Sequence, residues 1–204
     1  MKLPQVPPGP LTRRPGDLHL VRRNVALWRV HLSAGPQVTP WDQLRFVGPT
    51  ASRFDPRAPP THVSSRGVTY AGLDVPTVIA EMFQLTRVID THRRAPYLTR
   101  WQPTRTLSLL DLTGTWPLRN GALHLLTSGP KRVCRQWAQA INGQWPDLDG
   151  SWSVSTMTGH PMLTLFTAAA DAFPARPSFS RPLTTPALRG SLRTAAEGIG
   201  YRLV

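Results

Sequence analysis

Hydrophobic positions along the chain switch between two periods, and the switches outline a series of strands and helices. NVALWRVHLS (24–33) alternates apolar and polar residues, the two-residue period of a strand with one buried face, and places Arg29 on the polar face. GVTYAG (67–72) reads as a short strand and TLSLLDLTG (106–114) as a strand leading into a turn. SWSVSTM (151–157) and MLTLFTAA (162–169) read as two more, the latter running on toward PARPSFSRPL. Two segments keep the helical period instead. Asp74 is placed to cap a helix running to about Asp90, with Pro76 in its first turn, where a missing N–H costs little. Its apolar stripe is Val75, Val78, Ile79, Met82, Leu85 and Ile89. At about 100° per residue, Glu81 falls on the edge of that stripe, half shielded from water.

The second helical segment lies within LHLLTSGPKRVCRQWAQAIN (123–142), with Ser128 as N-cap, Pro130 in the first turn, and Val133, Trp137, Ala140 and Ile141 as the buried face. The tail ALRGSLRTAAEGIGYRLV predicts a last short helix and a strand. Residues 34–67 carry turn formers throughout (SAGP, VGPTAS, FDPRAPP, SSRG) and are predicted as loop. Residues 1–24, rich in proline and arginine, are predicted as an extended or disordered extension ahead of a single domain over 25–204. The fold class expected is α+β.

Composition narrows the function. The 204 residues suffice for one full-sized core, and no apolar run approaches the roughly 18 residues that span a bilayer. The N-terminal stretch lacks the apolar core of a secretory signal, so a cytoplasmic address is expected. Cys134 has no second cysteine to pair with, and no histidine–cysteine spacing suits zinc, so neither a disulfide nor a metal is expected. The net charge of +13 is almost wholly arginine, since only Lys2 and Lys131 are lysines. The arginines are scattered, with doublets only at 13–14, 22–23 and 93–94, which favours anionic small molecules or an acidic protein as partners over direct nucleic-acid binding.

No phosphate-loop, dinucleotide-fold or nucleophile-elbow motif is present, and 11 acidic residues spread thinly form no glycosidase pair. What remains is a scattered set: Arg29 on a strand, Arg53 in SRFDP, Tyr70 ending a strand, Glu81 on a helix edge, and Ser128 with Lys131 at a helix start. Only Glu81 and Glu197 are glutamates. Each residue also has a purely structural account: Arg53 paired with Asp55 or Asp42, Tyr70 as core with one backbone partner, Glu81 paired with Arg87 or Arg93, Ser128 as a cap.

Taken in order, Arg29 in LWRVH, Arg53 in SRFDP, Tyr70 in VTYAG, Glu81 in IAEMF and Ser128 in TSGPKR resemble the RES-domain family, named for its arginine, glutamate and serine. The likeness extends through APYLTRW, LLDLTGTWPLRNG, PDLDGSWSVSTMTG and RPLTTPAL, from about residue 25 onward. It implies a fold like that of bacterial ADP-ribosyltransferase toxins, with mixed and antiparallel sheets and flanking helices. It implies an NAD+-degrading toxin of a toxin–antitoxin pair that cleaves the nicotinamide–ribose bond without a cofactor, with water or inorganic phosphate as acceptor. An Xre-type antitoxin and, by analogy, a homodimer are the implied partners. Under the resemblance Glu81 stabilises the ribose cation, Arg29 and Arg53 grip phosphate, Ser128 and Lys131 present donors to it, and Tyr70 packs on the nicotinamide or ribose. Two departures stand out. Ala51 and Ser52 replace the glycine pair of GGRFNP or GGRWNP, with Asp55 for the asparagine, and Phe166–Thr167 replace a tyrosine–glutamate pair. They leave open a RES-fold module that binds an acidic antitoxin or a nucleotide without turnover; a basic nucleic-acid-binding protein is the more distant alternative.

Overall fold

The computed structural model describes residues 3–36, 38–50 and 52–204. Its strands are β1 (Leu18–Val21), β2 (Leu27–Leu32), β3 (Arg45–Gly48), β4 (His62–Gly72), β5 (Val88–Ile89), β6 (Pro96–Trp101), β7 (Leu107–Asp111), β8 (Gly150–Val154), β9 (Pro161–Phe166), β10 (Phe179–Pro182) and β11 (Arg202–Leu203). The helices are α1 (Val75–Met82), α2 (Trp116–Arg119), α3 (Lys131–Gln144) and α4 (Arg189–Ile199). Among the described residues nine strands form one mixed sheet in the order β1-β7-β8-β9-β4-β2-β6-β10, with β3 on β4; β5 and β11 pair separately. Only β7 and β8 run parallel within the large sheet. The α+β class expected from the sequence holds.

One seam in this sheet positions everything that follows. β2 pairs with β6 along its whole length, from Leu27↔Trp101 to Leu32↔Pro96, but meets β4 at a single register pair, Trp28↔Gly72. β4 is paired over five positions with β9 on its other side. The sheet is therefore two well-laddered halves joined at one point, and the chain parts there.

Alternation within the strands supplies three apolar layers. Val68 and Phe166 face α3, meeting Val133, Trp137 and Ile141. Ala71, Leu163 and Leu165 face the opposite side, with Leu27, Trp101 and Leu109. On the other half Val30 and Leu98 receive Val78 and Ile79 of α1 and Leu192 of α4. As predicted, Asp74 caps α1, accepting from the Thr77 amide at 2.8 Å, and the tail forms a helix and a strand. Gly200, in the left-handed region at φ 68°, ends α4.

Several expectations are corrected. α1 stops at Met82 rather than Asp90: the chain turns through Arg87 at φ 51° to enter β5, and Leu85 is left 86% exposed. The predicted loop 34–67 contains β3 and the first half of β4. α3 begins at Lys131 with Pro130 as its N-cap, and Ser128 instead ends a 3₁₀ turn, His124–Ser128. From residue 3 on, the N-terminal extension, expected to be extended or disordered, is packed against the domain. Residues 18–21 form β1, and the segment before it is held by side chains in place of a ladder. Trp137 Nε1 donates to the Pro4 carbonyl at 3.1 Å, and the Leu11 amide donates to Gln144 Oε1 at 3.1 Å. The Thr12 amide donates to Asn120 Oδ1 at 2.7 Å, and the Thr12 carbonyl accepts from Trp116 Nε1 at 2.8 Å. No helix is long and apolar enough to cross a membrane among the described residues.

Candidate active site

A cavity of about 260 Å³ occupies the wedge where β2 and β4 part. β2 contributes Arg29, β4 contributes Val68, Thr69 and Tyr70, α1 contributes Val78, Glu81 and Met82, and the start of α3 contributes Lys131. Five of the six residues singled out from the sequence thus share one cavity: Arg29, Arg53, Tyr70, Glu81 and Lys131. Ser128 does not line it. Ser128 is exposed, and the buried neighbour Thr127 takes the place at the wall.

Glu81 is half-buried and is the one carboxylate among the lining residues. None of the ion pairs found among the described residues includes it, so the structural account through Arg87 or Arg93 does not apply. Its Oε1 accepts instead from Ser155 Oγ at 2.7 Å, and its Oε2 from Gln84 Nε2 at 3.3 Å. Ser155 is 3% exposed, and its Oγ in turn accepts from the amides of Met157 and Thr158 at 3.0 and 3.3 Å. With its lone pairs taken by these two amides, the hydroxyl proton is directed at Glu81. Sequence reasoning missed Ser155. Both Ser128 and Ser155 follow Glu81 in the arginine–glutamate–serine order, and only the packing of the β8–β9 turn against α1 tells them apart. Gln84 extends the chain of contacts, with Lys131 Nζ donating to its Oε1 at 3.5 Å.

Arg29 is fixed by backbone. Its Nη1 donates to the carbonyls of Pro40, Trp41 and Gln43 at 3.3, 3.0 and 3.2 Å. Burial, and then the charge of Arg45, lower its guanidinium to about 10, with Asp42 opposing; it stays charged at neutral pH. Arg53 Nε and Thr69 Oγ1 are buried with no hydrogen-bond partner among the described residues, and the Tyr70 hydroxyl, also buried, has Ser52 as its polar neighbour. Burial, and then the Asp55 charge, push the Tyr70 hydroxyl well above the usual phenol range, so it remains a neutral donor. Buried polar atoms are rarely left unpaired, and Arg53 Nε and Thr69 Oγ1 belong to residues that line the cavity.

The altered loop has its own support. Ala51 lies outside the described residues. Asp55, expected to bring negative charge toward a phosphate site or to pair with Arg53, is fully buried and spent on other partners. Arg57 donates to it through Nε and Nη2, both at 2.7 Å, and Arg45 through Nη2 at 3.0 Å. Burial pushes the Asp55 carboxyl up, but bonds from Arg57, the Thr50 amide and Arg45 outweigh it and hold it below the usual carboxylate range. Arg57 lies against Gly48, where a Cβ would come within 2.5 Å of its guanidinium carbon. α3 braces the loop from outside, Arg135 donating to the Thr50 carbonyl at 3.4 Å and Gln139 to the Arg57 carbonyl at 2.9 Å. At the second departure, Phe166 is core and Thr167 Oγ1 accepts from the Gly67 amide at 2.8 Å; neither lines the cavity.

Comparison with known proteins bears on the fold and the family. A chain in the crystal structure of the M. tuberculosis MbcT–MbcA toxin–antitoxin complex matches with a TM-score of 0.54 at 17% identity, covering 86% of this chain and 92% of that one. At that identity the likeness is one of fold. No curated protein matches the sequence. The family model for the RES domain matches residues 26–187, most of the chain, and the protein therefore belongs to the RES domain family.

Proposed function

We propose that the protein is the toxin of a toxin–antitoxin pair and that it cleaves the bond between nicotinamide and ribose in NAD+. The observation that carries this reading is the composition of the cavity wall: one half-buried carboxylate, Glu81, against four basic side chains, Arg29, Arg45, Arg53 and Lys131. NAD+ presents the complementary pattern, a cationic pyridinium-ribose at one end and a diphosphate further along. In the reaction the C1′–N bond breaks, its electron pair leaves with the pyridine nitrogen, and nicotinamide departs neutral, so no strong general acid is required. C1′ takes on oxocarbenium character as the bond lengthens. Glu81 stabilises that developing charge, more strongly for being withdrawn from bulk water. Water or inorganic phosphate then bonds to C1′; attacking water gives up one proton to solvent or to the carboxylate. Tyr70 and Thr69 supply hydroxyl partners for the substrate's ribose or amide, and the cations hold the phosphates.

The site needs no metal or organic cofactor in this scheme. The net charge of +13 fits an acidic antitoxin seated over the cavity, of Xre type by family analogy. The test is incubation of the purified protein with NAD+, with and without phosphate, reading free nicotinamide. Release is expected in wild type and loss of at least about 100-fold in Glu81→Gln, with the fold intact by circular dichroism. No nicotinamide under any condition at high protein concentration, with ADP-ribose still bound, would move the protein to a binding module.

A further inference from the structure

Arg45 opens onto the same cavity, and nothing in its local sequence, QLRFV, marks it. It stands first in β3 with its side chain 18% exposed. Its Nη2 donates to Asp55 and to Thr50 Oγ1 at 3.1 Å, and its backbone carbonyl accepts from Arg57 Nη1 at 2.8 Å. One carboxylate therefore serves two guanidinium groups. Arg57 is sealed inside at 1% exposure, so the surplus positive charge of the trio is delivered to the cavity through Arg45. Arg29, pinned by three carbonyls, lines the same space. The cavity's own carboxylate, Glu81, is engaged by Ser155 and Gln84 and not by either arginine. Two fixed like charges in one cavity repel unless an anion comes between them. Arg53 and Tyr70 line the same space.

We propose that Arg45 is a ligand-binding residue: together with Arg29 it forms a seat for a diphosphate, in a position set by the buried Asp55–Arg57 pair. Identifying the diphosphate as that of NAD+ rests on the function proposed above, whereas the seat itself follows from the placement of the charges. Because both guanidinium groups are already immobilised, little side-chain freedom is lost when the anion arrives.

The test is calorimetric titration of the full chain with inorganic pyrophosphate and with ADP-ribose at fixed ionic strength, alongside nicotinamide release from NAD+. Wild type, Arg45→Gln and Arg45→Lys are compared. Arg45→Gln leaves Asp55 chelated by Arg57, so the buried pair stays intact. Loss of one charge-assisted contact is expected to raise Kd for both ligands about 10- to 100-fold in Arg45→Gln and less in Arg45→Lys. KM for NAD+ is expected to rise with kcat little changed. A merely structural Arg45 would lower the melting temperature and leave Kd of the folded protein where it was. Unchanged Kd in Arg45→Gln, or no binding of either ligand to wild type, overturns the proposal; should Arg45→Gln fail to fold, Arg45→Lys decides by the same measurement. Pyrophosphate binding that depends on Arg45, without nicotinamide release, keeps the seat and removes the enzyme; cleavage of NAD+ indifferent to Arg45 does the reverse.

Discussion

Glu81 keeps its orientation through a serine 74 residues further along the chain. A carboxylate facing a developing cation is useful only if it is held, and Ser155 Oγ at 2.7 Å is the shortest of its contacts. Ser155→Ala removes a hydrogen bond to a charged group, so nicotinamide release is expected to fall about 10- to 100-fold in kcat. KM for NAD+ is expected to stay near the wild-type value, because Ser155 does not line the cavity. Steady-state kinetics on the folded variant checks this, and a change confined to KM would show that the serine acts elsewhere. Asp55 teaches a related lesson. Read from the sequence it is a stray negative charge beside a phosphate site; folded, it is consumed by Arg57 and Arg45 and holds the latter at the cavity wall.

At the scale of the element, the β8–β9 turn is stitched to α1 at three points. Ser155 reaches Glu81, Thr158 Oγ1 lies 2.9 Å from Thr77 Oγ1, and His160 Nδ1 lies 3.0 Å from Asp74 Oδ2. Asp74 is both the helix cap and the last of these stitches. Burial raises its carboxyl, but bonds from Thr77 and His160 prevail and hold it below the ordinary value. A carboxyl depressed by folding stabilises the protein above its unfolded pKa of about 3.9, and that contribution fades as pH drops through the lower folded value. Asp74→Ala is therefore expected to cost about 1 kcal/mol at pH 7. The gap between variant and wild type should close in urea titrations carried below about pH 4; a gap that persists there would assign the loss to packing. The start of α1 was legible in the sequence, because an Asp cap and a first-turn proline are local signals. Its end was not: Leu85 continues the apolar period, and only the pairing of β5 with β11, more than 100 residues away, shows why the chain turns out at Arg87. β3 escaped notice for the same kind of reason, since it lies in a stretch crowded with turn formers and is defined by its partner β4.

Across the whole molecule, the N-terminal segment closes over α2 and α3 through a set of indole and amide side chains. Trp116, Trp137, Asn120 and Gln144 each have a polar group satisfied by backbone of residues 4–12, and Leu11 is 4% exposed beneath them. Deleting residues 1–14 strips at least these four hydrogen bonds, at about 1 kcal/mol each. The melting temperature is expected to fall by roughly 10 °C, with a red shift in tryptophan emission as the indoles meet water. An unchanged melting curve would mean that these contacts contribute nothing to stability. Composition had pointed to an extended or disordered extension here, because proline and arginine dominate it and its partners lie more than 100 residues away. Five of the cavity's residues were found through their order along the chain, whereas Arg45 and Ser155 became visible only once distant strands were brought side by side.

The single contact point between the two halves of the sheet has a consequence for how the molecule tolerates change. Gly72 is its keystone: a methyl there would sit 2.9 Å from Val78 Cγ1 and 3.2 Å from Met162 Sδ. Val78 belongs to the same helical turn as Glu81, so a bulkier stone would be felt as a displaced carboxylate before it was felt as a weaker sheet. In this architecture the masonry and the cavity's carboxylate share one joint.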